Sequence, residues 1–183
     1  GEVFEAAGGT AVNIPGGEIF TSLQTGVIDA AEWVGPFNDL VLGFHQVAKY
    51  YYYPGWQEPG PNLELIINQD AFNELPKDLQ AMLRNASLAV NNDVLSEYTA
   101  RNNQALKELV EVHQVQVRRL PDDVLAALKV ISDEKVQALV GDDPLNQRIF
   151  DSYQAYRRSV MDYNELSERA FHNARAKLEG YEP

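Results

Sequence analysis

Apolar and polar positions follow two different periods along this chain, and each change of period marks a boundary between elements. Residues 2–8 carry a short helical pattern that Gly8-Gly9 stops. Residues 10–14 (TAVNI) read as an extended segment bounded by Pro15-Gly16-Gly17. Ile19, Phe20 and Leu23 put one apolar face on a helix over residues 18–24, and Gly26 stands where a left-handed C-terminal cap would end it. Residues 27–33 form a short apolar run carrying two carboxylates, Asp29 and Glu32, just ahead of Gly35-Pro36. That run predicts a buried strand. The resulting β-α-β rhythm predicts a parallel or mixed sheet covered by helices.

Further on, residues 37–47 read as a short helix and residues 49–53 (KYYYY) as a β-prone run. Residues 54–61 (PGWQEPGP) are a turn-rich loop holding Trp56, Gln57 and Glu58, and residues 63–67 (LELII) read as another strand. The remainder is mostly helical. Pro76 suits a helix start, and Leu79, Leu83, Val90, Val94, Tyr98, Leu106, Leu109 and Val110 carry the helical spacing to about residue 114. Residues 115–120 alternate like a strand, and Pro121-Asp122-Asp123 opens the next helix. Gly141-Asp142-Asp143-Pro144 is a stop followed by a start, with Asp143 as N-cap and Pro144 at the first helical position. From Pro144 to Glu179 apolar residues recur every three or four positions without a breaker. The pattern predicts one helix of roughly 50 Å, at ~1.5 Å per residue. So long an apolar stripe must cross two lobes or pack on another subunit. The chain thus divides into an α/β portion (1–75), a long spanning helix with a short strand and helices (76–143), and a long C-terminal helix (144–183).

Composition narrows the class. The chain has 183 residues, 45% hydrophobic and 23% charged, as in a globular domain. Its net charge of −12 repels phosphate backbones and anionic membranes, which argues against nucleic acid as a partner. The absence of cysteine excludes disulfide frameworks, thiolate metal sites and cysteine nucleophiles, and it fits an oxidising compartment. The opening GEVFEAAGG has no charged and apolar leader, and it begins inside a helix-like segment. Both features predict a piece of a longer chain.

Enzyme chemistry finds little to stand on. His45, His113 and His172 are far apart and match no metal-ligand spacing, so they read as surface or satisfied side chains. The serines lack a nucleophile-elbow context, and Gly16-Gly17 is too short for a phosphate loop. On a strand Asp29 and Glu32 would face opposite ways, which argues against a paired acid/base site and leaves Asp29 structural. Tyr50 to Tyr53 alternate faces and read as sheet packing, and Trp56 reads as a core residue.

Residues 15–33 (PGGEIFTSLQTGVIDAAEW) resemble the characteristic stretch of TRAP-transporter periplasmic solute-binding proteins through Pro15, Glu18, Phe20, Leu23, Gln24, Gly26 and Asp29. Glu32-Trp33 and the later KYYYYPGWQEPG (residues 49–60) resemble the branch that binds 2-oxo acids or lactate with a metal cation. The resemblance implies a helix-rich α/β fold of the two-lobe periplasmic-binding-protein type, of which this chain is the C-terminal half. It implies a binding protein and not an enzyme, extracytoplasmic and periplasmic, that delivers a small carboxylate such as pyruvate to TRAP membrane permease subunits. It implies that the Glu32 side chain, the Trp33 backbone carbonyl and the Glu58 side chain hold a sodium or calcium ion, with the Trp33 ring as a pocket wall. Gln57 stands beside Glu58 as the alternative in the same loop. In this branch a C-terminal helix exchanged between subunits makes a homodimer, which fits residues 144–179. The arginine that clamps the carboxylate and a helping glutamine would lie outside this sequence. The competing reading is a non-binding α/β oligomeric fragment with a structural role.

Overall fold

The computed structural model describes residues 1–60 and 63–180. The last residue of the 54–61 loop and the last three of the C-terminal segment lie outside them. The described residues form a helix-rich α/β structure. Its elements in order are α1 (Glu2–Ala6), α2 (Gly16–Thr25), α3 (Pro36–Val41), β1 (Tyr50–Tyr53), α4 (Gln69–Glu74), α5 (Lys77–Glu111), β2 (Gln116–Arg119), α6 (Asp122–Val140), α7 (Pro144–Leu166) and α8 (Glu168–Glu179). The chain divides after Lys129 into two compact units.

In the first unit β1 and β2 pair in parallel, with Tyr50 opposite Gln116 and Tyr53 opposite Arg119. A parallel pair needs a long crossover, and α4 and α5 supply it. The 35 residues of α5 make a helix of roughly 52 Å at ~1.5 Å per residue. Near its C-terminal end Ala105 and Leu109, four residues apart, are 4% and 2% exposed. Val115, Phe44 and Ile19 are buried as well. α3 lies on α5: the Phe37 ring meets Tyr98 edge-on, the Arg101 guanidinium sits over it, and the Phe37 N–H donates to the Asn102 side-chain oxygen (2.9 Å). Gln80 is buried near the start of α5 and is satisfied, donating to the Leu75 carbonyl (2.8 Å).

Helix ends follow local chemistry. Gly26 takes the left-handed conformation (φ 73°) that closes α2. Asp143 accepts from the Leu145 and Asn146 N–H groups, and Pro144 opens α7. The expected 37–47 helix is shorter: α3 ends before Gly43, and one 3-10 turn (Phe44–Gln46) follows.

Three expected strands do not form. Residues 10–14, 27–33 and 63–67 have no ladder partner among the described residues. An extended segment without a neighbour leaves its backbone groups to water, whatever its side chains prefer. Val27, Leu63 and Ile66 are 74, 80 and 86% exposed, so these runs are not buried here. The β-α-β unit is real, but it spans β1, α5 and β2 rather than residues 10–33.

In the second unit the helix expected to be continuous from Pro144 to Glu179 breaks at Ser167 (φ −108°, ψ −106°). The Ser167 hydroxyl donates to the Tyr163 carbonyl (2.9 Å), and its N–H is shared between the Tyr163 and Asn164 carbonyls. Such back-bonding competes with the helix ladder and bends helices.

Candidate functional site

Glu32 and Trp33 lie on the irregular segment between the Gly26 cap and α3, and both are exposed. The Trp33 ring rests on the start of α2. A Cβ on Gly16 would sit 2.5 Å from the edge of that ring, so only glycine permits this approach. Glu58 lies in the bend-rich loop after β1, which leaves the strand through a cis Tyr53–Pro54 bond. Here too a glycine makes room: a Cβ on Gly55 would come within 2.6 Å of the Glu58 carbonyl oxygen. Trp56 is half-buried and Gln57 is exposed. Asp29 is exposed on a bend. Because its segment is not a strand, the opposite-face argument that separated it from Glu32 does not hold.

The structure brings Glu32 into electrostatic reach of Glu58 and of Asp39. Partial burial raises the Glu32 carboxyl above its ordinary range, and the charges of Glu58 and then Asp39 push it further. Asp39 itself escapes sequence reasoning. It lies on α3 and is 8% exposed. The Tyr51 hydroxyl donates to its Oδ2 at 2.5 Å, while its Oδ1 is buried without a well-formed hydrogen bond. Burial raises the Asp39 carboxyl, against the lowering effect of the Tyr51 hydroxyl and the Gly35 backbone N–H. The Tyr51 hydroxyl is pushed up by burial first, then by its bond to Asp39 and the charges of Asp39 and Glu32. A sequence signal did exist: an acid in the first turn of a short apolar helix.

A second cluster involves two residues read as unrelated. The rings of His45 and His113 stack with centroids 3.9 Å apart and planes tilted by 30°. Nδ1 of His45 is buried without a hydrogen bond, and Nε2 of His113 is 3.6 Å from Glu108. Burial lowers the His45 imidazole, His113 adds to that, and Glu108 opposes it. An open groove of about 590 Å³ beside Phe72 and Arg84 shares no residue with the Glu32 site.

Among the described residues no three histidines and acids converge as a ready ligand cluster. The donor chemistry nevertheless fits a hard cation. The Glu32 and Glu58 carboxylates and the Trp33 carbonyl are all oxygen donors, as sodium and calcium require. A cation would also relieve the like-charge coupling that raises Glu32. Three such residues offer fewer than the six to eight oxygens calcium takes, which leaves room for ligand oxygens or water.

Several known proteins are similar to this chain in sequence and fold. The monocarboxylate 2-oxoacid-binding periplasmic protein of Nostoc sp. is 34% identical over 173 residues, covering 94% of this chain and 47% of its own length. A TRAP periplasmic solute-binding protein from Colwellia psychrerythraea, solved with bound calcium and pyruvate, superposes with a TM-score of 0.89 at 39% identity, covering 95% of this chain and 53% of that one. One from Pseudoalteromonas atlantica, solved with sodium and pyruvate, gives 0.84 at 36% identity, covering 94% and 53%. One from Bordetella bronchiseptica, a mixed-occupancy dimer with calcium and picolinate in one site, gives 0.92 at 31% identity, covering 97% and 53%. The chain spans about half the length of these relatives. The family model for bacterial extracellular solute-binding proteins, family 7, matches residues 1–143. Its members are solute-binding proteins of transport systems rather than enzymes. On the strength of that match, the chain belongs to family 7 of the bacterial extracellular solute-binding proteins.

Proposed function

We propose that this chain is the C-terminal portion of a periplasmic solute-binding protein that captures a small 2-oxo or hydroxy carboxylate together with a metal cation for a TRAP transporter. The observation that carries the reading is that two acids from separate motifs come within electrostatic reach, the Glu32 carboxyl being raised first by burial and then by the charge of Glu58. An anionic ligand in a protein needs a charge partner, and two coupled carboxylates can supply one only through a cation. The Glu32 and Glu58 side chains and the Trp33 carbonyl are the proposed cation ligands. The ion would screen the acids and attract the ligand carboxylate, and the Trp33 ring would wall the ligand in. In the proposed division of labour residues 1–75 carry the ligand motifs, residues 76–143 hold them on the long helix, and residues 144–183 join a second copy.

Calorimetric titration of this chain with pyruvate, with and without calcium or sodium, tests the reading. Heat that requires the cation and disappears in Glu32→Ala and Glu58→Ala is the expected result. Binding that survives both substitutions, or no binding by a folded sample, overturns it; the second outcome would favour a fragment with a structural role.

A further inference from the structure

Asp39 is a buried acid that nothing in the cation reading requires. It sits on α3, whose N-terminal Gly35 follows Glu32-Trp33 almost directly, and that Gly35 N–H lies close to its carboxylate. Its partner Tyr51 lies within β1, which runs into the loop holding Glu58. The Tyr51–Asp39 hydrogen bond therefore ties the segment carrying one proposed ligand to the strand that leads to the other. Asn102 holds the same end of α3 from α5 through the Phe37 N–H.

A tie alone does not call for a charge. An asparagine oxygen would accept from the Tyr51 hydroxyl equally well. A carboxylate 8% exposed with one oxygen lacking a good hydrogen bond is a costly way to make one bond. Its negative charge is felt at Glu32.

We propose that Asp39, held by Tyr51, is a positioning residue that sets the spacing of Glu32 and Glu58, and that its buried charge sets the preference of the site for a divalent over a monovalent cation. The inference rests on the carboxylate–cation reading above. Removing one negative charge costs a divalent ion twice the electrostatic energy it costs a monovalent one. An effect of about threefold on sodium thus becomes about tenfold on calcium, since the energies double and the factors multiply.

The test is pyruvate titration of the wild type, Asp39→Asn and Tyr51→Phe in calcium and in sodium, with thermal unfolding of each. Asp39→Asn is expected to lose about tenfold in calcium and about threefold in sodium. It is also expected to unfold at a higher temperature at pH 7, because burial disfavours the charge it removes. Tyr51→Phe is expected to weaken binding with both cations. If Asp39→Asn lowers the unfolding temperature and leaves the calcium-to-sodium ratio unchanged, Asp39 is merely structural and the inference is overturned. If the wild type binds no pyruvate with either cation, the carboxylate–cation reading is what has failed, and the inference falls with it.

Discussion

Side chains distant in sequence acquire their chemistry here by meeting. The His45–His113 stack is an example, and its response to pH has a definite sign. His45 is held below its ordinary value, so the unfolded chain takes up its proton first as the pH falls. The stability it contributes is full above the ordinary histidine value of about 6.5 and is lost as the pH drops through the lowered one. Protonation of His45 would also set a positive charge against the His113 ring 3.9 Å away. The unfolding temperature of the wild type is therefore expected to drop more steeply between pH 7 and pH 5 than that of His45→Phe. Parallel slopes in the two proteins would remove His45 from the account. Glu32 and Asp39 have the opposite sign, since raised carboxyls favour the fold as they protonate, and the paired comparison cancels them.

Caps and interruptions decide the elements more than composition does. Asp143 satisfies two N–H groups at the start of α7. Asp143→Ala is expected to cost about 1 kcal/mol, measurable by denaturant unfolding, whereas Asp143→Asn should cost little. The exposed helix ion pairs, Arg101–Glu97 and Arg175–Glu179 among them, are worth far less individually. Ser167 shows the reverse case. After Pro144 no proline or glycine occurs up to Glu179, yet the helix divides at Ser167, whose backbone angles are not helical. The 35-residue α5 continues past two comparable serines, Ser87 and Ser96, each bonded to the carbonyl four residues back.

At the scale of the molecule, the apolar residues of α7 are in the open. Ile149 is 60% exposed, and Tyr156 and Tyr163, each seven residues further along the same side of the helix, are 72% exposed. A contiguous apolar face of this kind marks an interaction surface. We propose that a second copy of the chain covers it. Light scattering is expected to give a dimer, and Ile149→Glu with Tyr156→Glu is expected to shift it to monomer; a wild-type monomer at micromolar concentration would count against the proposal.

What the sequence determined by itself were the features whose cause is local. The Gly26 and Asp143 caps, the helix starts at Pro76 and Pro144, the tyrosine strand and the strand over residues 116–119 all follow from neighbouring residues. The two motifs were legible through their resemblance to a known family, and Glu32, Trp33 and Glu58 became candidates only through that resemblance. Tertiary structure decided what depends on a partner. Residues 10–14, 27–33 and 63–67 have strand-like side chains, but a strand exists only through hydrogen bonds to a neighbour. Asp39 became a buried acid because Tyr51 and α5 enclose α3, and His45 met His113 because α5 carries the chain back to β1. No local pattern encodes those encounters, because burial and charge coupling depend on distance in space rather than on separation along the chain.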